Sequence, residues 1–339
     1  MGGIEISKFT KTLKSEHNKF LIMDNNKTIT QIKKVISANQ AEYAKYHFLL
    51  ASEMLYSWQR PPVKDLESGM ILAFLTVQAL KIFNQNNKNK SYEKLINEKQ
   101  IDIGKIKLTE IARQLNIPRE TLRRKMNKLK QFKFIKNENR HCIVLTKSFS
   151  IESRNLILSK YAKCLNIIKL RLKGNTLIKK KDETNEKELN EFYSKVWHDI
   201  LSMQCQLVFL WRKLDFIETM ENYFIFGICS VNQMYNLKKY KSFVHKNTDN
   251  IENFFLNITE KDTIRGLNPT TISDLTGIPR QTVIRNLNVL IKRKVLKKEK
   301  KKNLFFIPRN TTQKKLILNH YKKITEAIAF NTFQTLQFI

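Results

Sequence analysis

Leu108 to Thr146 read LTEIARQLNIPRETLRRKMNKLKQFKFIKNENRHCIVLT. Ile111 and Leu115 fall at i, i+4 and predict one short helix, which breaks at Asn116-Ile117-Pro118. A second helix starts at or just after Pro118, because proline is tolerated only in a helix's first turn. In it Leu122, Met126 and Leu129 recur at i, i+4, i+7 and form the buried stripe. The remaining surface carries Arg119, Glu120, Thr121, Arg124, Asn127 and Lys128, residue types that hydrogen-bond phosphates and base edges. Two strands follow, near Phe134 to Lys136 and Cys142 to Thr146, with Asn137 to Arg140 at the tip.

That succession of helix, tight turn, basic helix and hairpin is the layout of a winged helix-turn-helix. It occurs twice. Ile272 to Lys302, ISDLTGIPRQTVIRNLNVLIKRKVLKKEKKK, aligns without gaps to Ile111 to His141. Core positions match, as any copy requires. Arg119, Thr121, Arg124 and Asn127 also match Arg280, Thr282, Arg285 and Asn288, off the buried stripe, where folding asks for no particular polar side chain. Their identity implies that both helices meet the same kind of partner. Gln281 replaces Glu120 and Val289 replaces Lys128, so the two faces are related but unequal.

Around the first copy, Ala41 to Trp58 has helical spacing through Tyr43, Tyr46, Leu50, Met54 and Leu55. Leu66 to Phe83 is almost wholly apolar and reads as the central core helix. A closing helix runs from Glu152 to Leu172, with Leu156, Tyr161, Leu165 and Ile168 inward. The second copy repeats the frame with Phe192 to Trp211, Glu218 to Tyr235, and Leu316-Ile317-Leu318 with Tyr321. The expected organisation is a basic N-terminal arm over 1–40, with a turn at Asp24 to Lys27, then a first unit over 41–172. A charged linker over 173–188 joins it to a second unit over 189–339. The fold class is mainly α, two winged helix-turn-helix units each with a small hairpin wing.

The order of elements, the strand end Ile143-Val144-Leu145-Thr146 and the Glu138-Asn139-Arg140 tip resemble the MarR family of transcription regulators. The resemblance implies that the wing arginine, Arg140, enters the minor groove. In the second wing only Glu299-Lys300-Lys301 stands at that place, so Lys301 is the candidate there. The resemblance also implies a small-molecule effector near the Tyr and Trp residues of the leading helices, although helical spacing explains those residues as core. It further implies that first and closing helices pack together across a twofold axis. Here a single chain would do this as a monomer with internal pseudo-twofold symmetry. The linker spans about 20 to 24 Å as a coil and roughly 50 Å when stretched, enough to permit that pairing.

Composition agrees. The 339 residues carry 62 Lys+Arg against 30 Asp+Glu, a net charge of +32 that attracts polyanions. The four cysteines are scattered, without CxxC or Cys/His metal spacing, which predicts reduced thiols and no metal. His198, beside Trp197, reads as a half-buried structural residue. The N-terminus has no apolar signal core, and the apolar runs Met70 to Leu80 and Tyr223 to Val231 are about half the ~20 residues a bilayer requires. A cytoplasmic protein with no membrane partner is expected. Eight glycines and no P-loop, GxGxxG, HExxH or GxSxG motif argue against an enzyme or a bound cofactor. The expectation is a sequence-specific regulator binding double-stranded DNA. The alternatives are a plasmid-type replication initiator with two winged helices and a protein-interaction module that binds no DNA.

Overall fold

The computed structural model describes residues 23–59, 63, 65–146, 154–172, 183–214, 217–239, 266–299, 304–306 and 314–339. The chain is mainly helical, with two small antiparallel sheets among the described residues. In the first half α1 is Met23–Ala38, α2 Gln40–Gln59, α3 Leu66–Asn86, α4 Tyr92–Asn97, β1 Gln100–Lys105, α5 Leu108–Leu115, α6 Arg119–Gln131, β2 Ile135–Glu138, β3 His141–Leu145 and α7 Arg154–Arg171. In the second, α8 is Glu186–Glu191, α9 Tyr193–Trp211, α10 Met220–Lys239, α11 Pro269–Thr276, α12 Arg280–Lys292, β4 Lys297–Glu299, β5 Leu304–Phe306 and α13 Lys314–Leu336.

Within each half the packing repeats. α2 lies along α7 as α9 lies along α13, and α3 supports α6 as α10 supports α12. Between the halves the contacts are exchanged: α3 packs on α9 and α10 on α2, while α1 lies on α13 and α8 on α7. One continuous buried cluster results, running through Leu50, Ile71, Leu75, Trp197, Ile200, Phe226 and Ile328. The halves therefore share a core instead of each enclosing its own. The reason lies in α3 and α9, which are apolar on more than one side and need partners from both halves.

Several expectations change. The arm expected over 1–40 is, from Met23, a helix, and it takes up the turn expected at Asp24 to Lys27. Its sparse stripe suffices because Thr28, Ile32 and Ile36 are buried, with α13 as partner, and Lys33 pairs with Glu326 across that contact. Residues 1–22 lie outside the described residues. Of the linker expected over 173–188, residues 173–182 lie outside them too, but its end is ordered. Thr184 is buried, its amide donates to Asn166 Oδ1 at 2.8 Å, Lys169 Nζ donates to its hydroxyl at 2.7 Å, and Asn185 caps α8.

Leu156, expected inward, is exposed, as is its counterpart Leu316; Ile157 and Ile317 point inward instead. The apolar run at Met70 extends to 21 residues, so that α3 is, among the described residues, the one helix long and apolar enough to cross a membrane. Most of it is buried inside the protein.

Sequence periodicity did not reveal α4 and β1. β1 pairs with β3, giving the order β1-β3-β2, and α3 rests against it. Its residues QIDIGK alternate only through Ile101 and Ile103, too short a pattern to separate from loop. In the second half, among the described residues, a bridge from Leu267 to Phe305 takes the place of that third strand beside β5 and β4.

Candidate nucleic-acid interface

α5 ends at Asn116, whose left-handed conformation (φ 51°) turns its amide back to Ala112 O and Arg113 O. Ile117 N–H also returns to Ala112 O at 3.0 Å, and Pro118 then starts α6 with no amide to satisfy. Leu122, Met126 and Leu129 are buried, with α6 seated on α3, so the opposite face is fixed outward. Arg119, Glu120, Arg124 and Asn127 are exposed there and Thr121 is half-buried. Arg124 and Asn127 make no hydrogen bond or ion pair with another described side chain, although the charge of Arg124 acts on nearby Glu120. Glu120 is less available, because Arg123 Nη2 contacts its Oε1 at 2.5 Å and that guanidinium holds the Glu120 carboxyl below its usual range. Arg123 is itself an outward cation that the repeat comparison missed, since its counterpart is Ile284.

The lysines on this helix divide. Lys125 turns inward to Asp65, the N-cap of α3, and Lys128 Nζ stands 3.8 Å from the same carboxylate. Ser68 Oγ donates to Asp65 as well, at 2.5 Å. Burial raises the Asp65 carboxyl, but the hydrogen bonds from Lys125 and Ser68, with the charges of Lys125 and Lys128, outweigh it and bring it below its usual value. Lys128, expected on the outward face, is thus half-buried beside an acid at the edge of that face.

The second copy builds the same surface by different means. Asn268 caps α11 by accepting from Thr271 N–H at 2.8 Å, and Pro269 fills its first turn. Gly277 (φ 70°) takes the turn position that Asn116 holds in the first copy. Val283, Leu287 and Leu290 are buried; Arg280, Gln281, Arg285 and Asn288 are exposed and Thr282 is half-buried. Arg280 Nε reaches Thr270 Oγ1 at 3.3 Å, whereas Arg285 and Asn288 engage no other described side chain. Asn286, aligned with Lys125, is buried and donates to Thr282 O at 2.9 Å.

The first hairpin turns in two residues between paired Glu138 and His141. Asn139 (φ 48°) and Arg140 (φ 66°) both occupy the left-handed region, the twist that suits a two-residue hairpin. Arginine there is strained relative to glycine, and its side chain is exposed at the tip. Lys301, the corresponding candidate, lies outside the described residues.

Most aromatic residues of the leading helices are packed, whereas Tyr56 of α2 is exposed. Trp211 meets Tyr223, Phe226, His320 and Tyr321 at ring distances of 5.3 to 5.9 Å, and a cavity of only about 90 Å³ remains beside Trp211, Tyr223, Tyr321 and Tyr43. A larger cleft of about 410 Å³ lies between α2, α10 and α11, lined by Phe48, Ser52, Tyr56 and Val231. It falls in the size range of small-molecule sites. His198, expected to be half-buried, is so and sits 3.0 Å from the buried Asp199. Burial pushes the Cys142, Cys205 and Cys229 thiols up to about 12, away from the thiolate form that reacts. Among the described residues no group of His, Cys, Asp and Glu is arranged to hold a metal. No protein family, curated protein or solved structure matches the chain.

Proposed function

We propose that this protein is a sequence-specific double-stranded DNA-binding regulator in which two winged helix-turn-helix units act as a pseudo-dimer within one chain. The observation that carries the reading is the outward face of α6 and α12. Arg124 with Asn127, and Arg285 with Asn288, are exposed at matching positions of the two helices, and none of the four makes a hydrogen bond or ion pair with another described side chain. An arginine can read guanine by two hydrogen bonds, and an asparagine adenine, from a helix lying in the major groove. Arg119, Arg123 and Arg280 flank these positions as phosphate-contacting cations, and Arg140 reaches outward from the wing. The exchanged packing of the halves supports the pseudo-dimer, since it relates the two helices by the arrangement a closed dimer uses.

Selection from a random duplex library, followed by titration against salt, tests this. The expected outcome is an imperfect inverted repeat and a slope of log K on log salt of about −0.9 per phosphate contacted. A slope near zero would remove the nucleic-acid reading in favour of a protein-interaction module. Selection of iterated direct repeats would favour the initiator.

A further inference from the structure

The halves exchange more than core contacts. Arg212, the residue after α9 of the second half, donates from Nη1 to the Leu115 carbonyl at the end of α5 in the first half. Its Nη2 meets Glu67 Oε1 of α3 at 2.5 Å. Gln59, the last residue of α2 in the first half, donates from Nε2 to the Thr276 carbonyl at the end of α11 in the second half, at 3.1 Å. Leu115 and Thr276 are the same position of the two helix-turn-helix copies, one residue before the left-handed turn. The donors also correspond, for Gln59 follows Trp58 and Arg212 follows Trp211 at the ends of the two leading helices.

Carbonyls in the last turn of a helix have no partner inside it, and a cation there also suits the helix dipole. Each turn is therefore held from outside by the opposite half. The second contact is tightened by shape. Tyr56 of α2 lies so close to Gly277 that a Cβ at that glycine would come within 2.7 Å of the ring. Asn116, the corresponding residue, is exposed. The stretch that reorients the chain into α6, or into α12, is thus fixed relative to a helix belonging to the other copy.

We infer that Arg212 and Gln59 are positioning residues that lock the two reading helices into one rigid pair and so set the half-site spacing the protein accepts. This rests on the DNA-binding reading. Arg212 is the stronger clamp, with a charged fork, two acceptors and a side chain only 12% exposed; Gln59 offers one neutral hydrogen bond.

The test compares the full-length chain with Gln59→Ala, Arg212→Met and Arg212→Lys on the selected duplex, and on the same duplex with one base pair inserted between its half-sites. The wild type is expected to lose affinity on the lengthened site. Arg212→Met should narrow that discrimination by about tenfold, Gln59→Ala by less, and Arg212→Lys should recover part of it. Hydrogen exchange of the free protein gives a second readout. Arg212→Met should speed exchange at Asn116 and Ile117, in the half that does not contain the substitution, and leave Gly277 and Ile278 unchanged. Unaltered spacing discrimination in variants that still bind, or unaltered exchange at Asn116, overturns the inference while leaving DNA binding intact. Failure of the wild type to bind any duplex overturns the functional reading and the spacing role together. Should Arg212→Met not fold, Gln59→Ala and Arg212→Lys make the same comparison from either side.

Discussion

The two matching helix pairs, α5 with α6 and α11 with α12, present similar outward faces but are anchored differently. α6 is tied down by an ionic cluster, with Lys125 and Lys128 against Asp65, whereas α12 has a buried amide, Asn286, and a valine at those positions. The second half does place an acid before α10, Glu218, but it pairs with Arg293 beyond the end of α12 and both side chains are about half exposed. A buried stripe can thus be secured by charge or by packing, provided that the outward positions stay free. The residues at Arg124 and Arg285 match, whereas those that support the two helices differ.

The largest expected effect separates the supports. Asp65→Ala removes the α3 cap and leaves Lys125, 18% exposed, without its acid, and should lower stability by about 3 kcal/mol. Glu218→Ala breaks an exposed pair and should cost at most about 0.5 kcal/mol. Urea unfolding of both variants measures the contrast, and equal losses would mean that the two anchors are equivalent. Next come the faces. Arg124→Ala and Arg285→Ala should each weaken binding to the selected duplex by about 2 kcal/mol, each erasing protection in a different half-site. Footprints in which both affect the same half would break the pseudo-dimer comparison.

A smaller effect has opposite signs on stability and binding. Arg140→Gly relieves a left-handed arginine and should stabilise the fold by about 1 kcal/mol while weakening DNA binding across many sequences. Thermal melts and competition with unrelated duplexes would show it. The smallest comes from two histidines, His320 in the second half and His47 of α2 in the first, whose pKa burial likewise lowers to about 4. His320 is buried against Trp211, and burial, followed by the charges of Lys323 and Lys213, lowers its pKa to about 4; Lys160 stands at its place in the first half. Below its unfolded value of about 6.5 the unfolded chain takes up a proton that the folded chain refuses, so stability falls as pH drops from there towards 4. Between about pH 7.5 and 6 the loss should be roughly 0.8 kcal/mol for each of the two, and His320→Phe should remove its own share from the pH dependence of the urea midpoint while that of His47 remains.

From residues alone, the paired helices α5 with α6 and α11 with α12, the buried stripe Leu122, Met126 and Leu129, and the outward Arg124, Asn127, Arg285 and Asn288 could be placed. A helical period and a duplicated pattern are local properties, and two copies show which polar positions exceed what folding needs. The partners of those elements were decided only by the tertiary structure. A stripe as short as Ile32 and Ile36 states no preference until α13 lies against it, and QIDIGK becomes a strand only beside β3. Nor does any local signal distinguish Lys128, near Asp65, from Arg124, facing solvent, or indicate that Gln59 and Arg212 reach across to the opposite copy. Such contacts join residues far apart in the chain, and one sequence carries periodicity within a segment but no record of which segments meet.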